Sequence, residues 1–549
     1  MIVNHVEKPV LWLGLITVLV NASAMLSPVI HSGDAVIYAS IARHIALTHD
    51  WASLVLDGHD WLDKPHFPFW MTAICFRIGG VSALTYILPG FIFHLIGAYY
   101  TYRLARLLYD EQTGIFAALI YVSIFSLMDS SIEIKAEAYL RAEIVAACFY
   151  WLSYDTQSRL KYLLPGALFT GMAIMTKGIF SVFTIFSGLA CSWLYQGQWS
   201  KLFSIKWLAA LSLSLLCAAP ELIALDAQFN QHGARVQDGS VFKFFFWDSQ
   251  FGRFFNTGPI QNHNGYALYY VLVFLWAFLP WTLVSLAALY AHCKDLHRTP
   301  AAERASFVYL ISTFALTFLM FSATKFQMSY YIDIILPFAA IVSAHYLKES
   351  TIGRPLFIAQ MCLICLLGSL AIGLSIYVMQ PQLLATMVVI GAALSGYLYA
   401  TRTASLNHRA MAGSVLVINM LYIFSILLAH LAFTRFSLAS NAAEFLGGQS
   451  AAPIYVYQMP EVSRELSLYS KAPTHELDTV DSLMQIQGDY YLIARHEEAL
   501  QLPLPPARFK LLANRRLVVH KTGTLDKLLK LARGTWPLES IDFLQSAAN

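Results

Sequence analysis

The chain has 549 residues, 57% of them hydrophobic and only 13% charged, with a formal net charge of +3 and a mean hydropathy of +0.56. Soluble globular chains carry about 25% charged residues, so this composition excludes a string of soluble domains and points to one large helical membrane domain. The net charge itself says little, because position counts more than sum in a membrane protein; no nucleic-acid partner is expected.

Apolar stretches long enough to cross about 30 Å of hydrocarbon predict about thirteen spans. They lie over 10–28, 83–103, 112–128, 138–154, 161–176, 178–195, 207–225, 266–290, 305–323, 329–347, 355–378, 382–400 and 411–433. The first run lacks a strongly basic start and more spans follow it, so it reads as a retained helix and not a signal peptide. With the N-terminus inside, every inward turnaround is basic: Arg103 and Arg106, Arg159 and Lys161, Lys201 and Lys206, Lys294 to Arg304, Lys348 and Arg354, Arg402 and Arg409. That pattern obeys the positive-inside rule. An odd number of spans then places the C-terminal segment outside.

Two outward loops, 29–82 and 226–265, are longer than simple connections need, and long ordered loops are usually functional. The first holds a helix-compatible piece, Ala35–Leu47, with Trp51, Trp61 and Trp70 expected as interfacial anchors. The second holds Phe244-Phe-Phe-Trp247 and then Arg253 among phenylalanines. The membrane domain is expected over 1–437 and a small extracytoplasmic α/β domain over 438–549. In the latter, strands are predicted at 453–457, 489–493 and 516–520, with helices at 462–469 and 479–487. None of the seven cysteines lies beyond Cys365, so this domain has no disulfide framework.

Seven cations sit on the wrong side of this topology: Lys64, Lys135, Arg141, Lys177, Lys243, Arg253 and Lys325. Single members can be snorkelling side chains. A whole cluster at the outer interface predicts an anionic headgroup, with phosphate the obvious candidate. Lys64 precedes Pro65, which blocks a helix there and fixes the ammonium among Trp61, Phe67 and Trp70. Arg253 offers the fork that phosphate favours, and Lys325 with Tyr331 opens the turn before the tenth span. Asp34, directly after the first span, reads equally as a general base or as a helix cap. Asp63 reads as a salt-bridge partner or a weak metal ligand. His232 and His263 lie outside too, but no ligand spacing supports a metal, so no cofactor is expected. Glu143 and Glu221 are acids in or near spans, and each is either functional or paired with Arg141 or another local cation.

In order and spacing, these pieces over roughly residues 10–350 resemble the GT-C membrane glycosyltransferases that use polyprenyl-phosphate sugars. The matching pieces are Asp34 with Tyr38-Ala-Ser-Ile-Ala and Asp50-Trp51, Leu62-Asp-Lys-Pro65 with Phe69-Trp70-Met-Thr-Ala, and Arg103-Leu-Ala-Arg-Leu-Leu108. Met175-Thr-Lys-Gly178, Phe251-Gly-Arg253, and Lys325 with Tyr331 six residues before Pro337 complete the series. Within that group the chain is most similar to the bacterial aminoarabinose transferases of lipid A and the related protein O-mannosyltransferases. The resemblance implies inverting transfer of one sugar from a polyprenyl phosphate to lipid A, another envelope glycan or a protein, at the periplasmic face of the inner membrane. It implies Asp34 as the catalytic acid's position, Lys64, Arg253 and Tyr331 as holders of the lipid phosphate with Lys325 beside them, and Tyr38, Asp63 and Glu143 as contacts for sugar or acceptor. The family commonly has Asp-Glu and then Arg in its first motif, where this chain has Asp34-Ala35 and Ile37. A transporter would instead predict interrupted helices with midplane charges, which the sequence does not suggest. A sensor built on the outer domain leaves the outer cations without a role.

Overall fold

The structure is a computed structural model of the whole chain, and it describes residues 7–26, 30, 33–130, 134–232, 241–257, 261, 265–446, 452–503, 509–519 and 525–546. Among these, seven helices are long and apolar enough to cross a bilayer, and two bent pairs raise that number to nine. Helices also cover the other predicted ranges. Glu111–Val122 and Phe180–Tyr195 are only 12 and 16 residues long, however. Ala136–Gln157 carries Glu137, Arg141 and Glu143, all buried. A multi-pass membrane protein with a GT-C-like helical core describes the architecture.

Local chemistry sets several boundaries. Ser82 and Thr85 exchange side-chain and backbone hydrogen bonds in a capping box that starts Ala83–Leu108. Asp110 caps Glu111–Val122 by accepting from the Thr113 backbone N–H at 2.9 Å. Gly188 brings Phe180–Tyr195 against Ala301–Ala323 so closely that a Cβ would stand 2.0 Å from Thr313 Oγ1.

Contrary to expectation, interrupted helices are present. Ile205–Cys217 and Ala219–Phe229 bend by 42°, and Tyr269–Ala277 and Thr282–Asp295 by 113°. The predicted span 266–290 is therefore not one straight helix. Pro220 and Pro280 stand at the breaks, where each removes a backbone donor and clashes with the preceding turn. The second break, Phe278-Leu-Pro-Trp281, carries no charge, so it lacks the ion-binding character of a transporter site.

The first outward segment has a core of its own. Gly33–Thr48 and Phe67–Gly79 pack together through Tyr38, Ile41, Ala42, Phe69 and Ala73, joined by Tyr86 and Tyr139 from longer helices. Trp61 packs edge-on to Tyr38 and Phe69, and Trp70 Nε1 donates to the Trp51 carbonyl at 2.8 Å. All three tryptophans are half-buried, packed in part by the helical hairpin.

The C-terminal part is a five-stranded mixed sheet in the order Thr474–Leu477, Ile454–Tyr457, Tyr491–Arg495, Glu539–Ser546, Phe509–Leu517. The first three strands are parallel and the last two antiparallel. Two of the five, at 474–477 and 539–546, are not among the predicted strands. Pro460–Tyr469 from this region packs on Gly33–Thr48. There the Tyr469 hydroxyl accepts from the Ile30 backbone N–H at 2.8 Å, and Arg464 pairs with Asp57.

Candidate active site

The loop from Asp50 to His66 is held by one face of Ala219–His232. Glu221 and Gln228 are seven residues, or two turns, apart and so point the same way. Gln228 bonds both backbone groups of Leu54, at 3.0 and 3.2 Å, and reaches Asp60 Oδ1 at 2.8 Å. Glu221 accepts from the His66 backbone N–H at 2.9 Å and faces its ring at 3.0 Å. Clamped at both ends, the loop presents Asp63 and Lys64, with Pro65 keeping the backbone out of a helix.

Asp63 lies between two cations. Lys64 Nζ donates to Oδ2 at 2.6 Å, and Arg253 Nη2 donates to Oδ1 at 2.5 Å and also to the Asp63 carbonyl. The acid is therefore a salt-bridge partner of both. Burial alone would raise the Asp63 carboxyl, but Lys64 and Arg253 outweigh it and hold it below the usual carboxylate range. Burial, and then the Arg253 charge, bring the Lys64 ammonium below its ordinary value despite Asp63. Arg253 sits on the short helix Phe251–Phe255, which Phe251 and Phe254 anchor to the Phe180 ring with centroids 5.5 and 6.3 Å apart. The Arg253 Nε is buried and has no hydrogen-bond partner among the described residues. An unspent buried donor needs an explanation, and an anionic ligand supplies one.

A second pair adjoins the first. Lys177 ends Leu160–Lys177 and pairs with the buried Glu137, whose Oε2 has no partner among the described residues. The Lys177 ammonium lies 3.8 Å from the Tyr331 ring centroid. Gly178 turns the chain away at φ 100°, and a Cβ there would strike the Gln250 amide. This is why glycine follows the lysine. Arg253, Lys177, Glu137, Gln250 and Tyr331 line a cavity of ≈ 70 Å³ together with Phe180, Phe254, Met320, Phe321 and Ile334. The arrangement suits an anionic head on an apolar tail.

Asp34 is not the helix cap but lies in the first turn of Gly33–Thr48, with an exposed carboxylate 3.9 Å from Lys135 Nζ. It does not line the cavity. Tyr330 connects the two regions, since its ring takes Lys135 at 4.5 Å and Lys177 at 5.8 Å. Tyr38 is buried four residues along the same helix. Burial, then Glu137 and Asp63, push its hydroxyl well above the ordinary range, so it stays a neutral donor. Lys325 has an exposed side chain and serves through its backbone, whose N–H donates to Phe254 at 3.0 Å and whose carbonyl accepts from Gly265 at 2.7 Å.

Two of the predicted outer cations belong elsewhere. Arg141 is fully buried in the bundle, 3.9 Å from Asp333, and bonds Ser130, the Leu127 carbonyl and His94. Lys243 lies 4.0 Å from Asp248 with its side chain well exposed. Glu143 accepts from Thr176 Oγ1 at 3.0 Å and does not line the cavity, and Glu221 pairs with His66 and not with Arg141. Glu137, Tyr330 and His66 escape sequence reasoning. Glu137 stands one residue before the predicted span 138–154, and nothing in the sequence singles it out as a site residue. Among the described residues, no group of three or more His, Cys, Asp or Glu is set to hold a metal. His263 and the His232 side chain lie outside the described residues.

Residues 63–223 match the family described as dolichyl-phosphate-mannose-protein mannosyltransferase. An undecaprenyl phosphate-alpha-4-amino-4-deoxy-L-arabinose arabinosyl transferase 2 of Proteus mirabilis is 26% identical over 310 residues, covering 56% of this chain and 52% of that protein. A like-named enzyme of Pseudomonas paraeruginosa is 26% identical over 317 residues, covering 56% and 54%. The match thus spans about half the length of these relatives. The crystal structure of ArnT from Cupriavidus metallidurans bound to undecaprenyl phosphate superimposes with a TM-score of 0.74 over 98% of both chains, at 14% identity. The fold is shared from end to end, and the chain resembles the GT-C glycosyltransferases of the lipid A aminoarabinose type.

Proposed function

We propose that this chain is an inverting glycosyltransferase that moves one sugar from an undecaprenyl phosphate donor to lipid A, at the periplasmic face of the inner membrane. The observation that carries the proposal is the lining of the cavity: Arg253, whose Nε has no partner among the described residues, and Lys177 share it with apolar side chains. The names of the Proteus and Pseudomonas relatives, and the lipid phosphate bound to the Cupriavidus protein, support the same donor.

The chemistry follows from charge. As the glycosidic bond breaks, negative charge grows on the departing phosphate. Lys64 and Arg253, with Lys177 beside them, are preorganised where that charge develops, and a largely dry site makes their stabilisation strong. The Tyr331 hydroxyl donates to a phosphate oxygen. The acceptor attacks the opposite face of the sugar. If it attacks through a hydroxyl, Asp34 takes the proton; if through a lipid A phosphate, Asp34 mainly positions it. Lys135 Nζ, 3.9 Å away, orients that carboxylate.

Mass spectrometry of lipid A from cells with and without the gene tests the acceptor, and the expected result is a mass gain of one sugar that depends on the gene. An unchanged lipid A together with a glycosylated envelope protein would replace this acceptor with a protein, as the description of the matched family suggests.

A further inference from the structure

His66 stands directly behind Lys64-Pro65, fully buried, and makes three polar contacts. Its backbone N–H donates to Glu221 Oε2 at 2.9 Å. Its Nδ1 lies 3.0 Å from Glu221 Oε1, and its Nε2 lies 2.9 Å from the Ala52 carbonyl oxygen. A neutral imidazole has one N–H and one lone pair. A carbonyl oxygen only accepts, so Nε2 carries a proton. A second proton must then occupy the short contact between Nδ1 and Glu221. Glu221 Oε2 already accepts the His66 backbone N–H, so the same carboxylate faces the ring with its other oxygen. The charged groups bearing on the ring are Glu221 from Ala219–His232 and Asp50 from the loop, while Phe67–Gly79 contributes the Trp70 ring at 5.3 Å. Burial opposes the cation, but Glu221 outweighs it, and the ring's pKa lies above its ordinary value.

We propose that His66 is a positioning residue held as an imidazolium, whose ion pair with Glu221 fixes Asp63 and Lys64 in the phosphate site. The proposal rests on the phosphate reading of that site. When His66 loses its proton, a buried Glu221 carboxylate is left without its counter-charge, an expensive state that loosens the strap between Ala52 and Phe67. Because the pKa is raised on folding, the clamp is complete at low pH and lost as pH rises through that raised value.

The test uses the full-length protein in nanodiscs, labelled with ¹⁵N-histidine. At neutral pH the His66 signal, assigned by its absence from His66→Gln, is expected to show both ring nitrogens protonated. Undecaprenyl phosphate affinity, measured across pH, is expected to fall on the alkaline side as that signal converts. His66→Gln is expected to bind about tenfold more weakly below neutrality, the scale of one lost hydrogen bond to a charged group, and to lose the limb that tracks His66. Titration of Lys64 itself would survive in this variant. If His66→Gln does not fold, Glu221→Gln identifies the His66 signal by its movement, and its alkaline limb is expected at lower pH. A neutral ring tautomer at neutral pH, or wild-type affinity and pH profile in the variants, would overturn the proposal. Failure of the wild-type protein to bind undecaprenyl phosphate at any pH would overturn the donor reading and the positioning role with it, while the imidazole signals report the ion pair separately.

Discussion

Asp63 does more at the residue scale than a sequence suggests. With its carboxylate between Lys64 and Arg253, the cation cluster carries an anion of its own, and under the proposed function a lipid phosphate competes with it for part of the cations' bonding. Asp63→Asn removes the larger of the two groups, Asp63 and Glu137, that raise Lys64 against burial and Arg253. Lys64 then loses its proton at lower pH, and the alkaline limb of the donor KM is expected to move toward neutrality in steady-state assays of this variant. Arg253→Lys keeps the charge but not the fork. A hydrogen bond to a charged group is worth about 1.5–3 kcal/mol, so the donor KM is expected to rise roughly tenfold or more with the acceptor KM unchanged. Asp34→Asn is expected to abolish transfer while undecaprenyl phosphate binding largely persists. Equal turnover by that variant would remove Asp34 from proton transfer. Lys64 and Arg253 are legible in sequence because outward cations break the positive-inside pattern. Glu137 and His66 are not, since an acid inside an apolar run and a histidine behind a proline look the same whether or not they have partners.

The element that ties site to bundle is the 3-10 segment Ser329–Ile335. It carries Tyr330 and Tyr331 toward the cations and Asp333 toward Arg141, with Ser126 donating to Asp333 at 3.0 Å. Arg141 in turn belongs to Ala136–Gln157, the helix that supplies Glu137. One buried polar network thus holds two of the site's supporting elements in register. Removing one partner of a buried pair typically costs about 3–5 kcal/mol because the other charge is stranded. Arg141→Met is therefore expected to lower the thermal stability of the detergent-solubilised protein markedly. Adding Asp333→Asn is expected to restore part of the loss, and a strictly additive second loss would separate the two residues. Sequence pattern places Arg141 in the outer cluster, because its position near a predicted span end says nothing about which way a helical side chain faces.

Over the whole molecule, hydropathy and the ordered motifs predict a GT-C-like membrane domain with a small outer sheet, and the end-to-end superposition with the Cupriavidus structure carries that fold. The departures have local causes. Prolines bend two of the predicted spans, and short or charge-bearing helices cover several others. The strand Thr474–Leu477 has a mixed burial pattern with none of the apolar continuity that betrays a buried strand. The pairing of the outer sheet's helix with the first outward loop, through Arg464–Asp57 and Tyr469–Ile30, leaves no mark in sequence at all.

That last contact joins positions 439 residues apart. At synthesis rates of about 5–20 residues per second, the two halves are made roughly 20 to 90 s apart. The loop that presents Lys64 is therefore made long before the helix Pro460–Tyr469 that packs on Gly33–Thr48 and pairs with Asp57. A chain stopped before Pro460–Tyr469 would hold that loop with none of this support. The geometry of an early segment thus depends on one made 439 residues later.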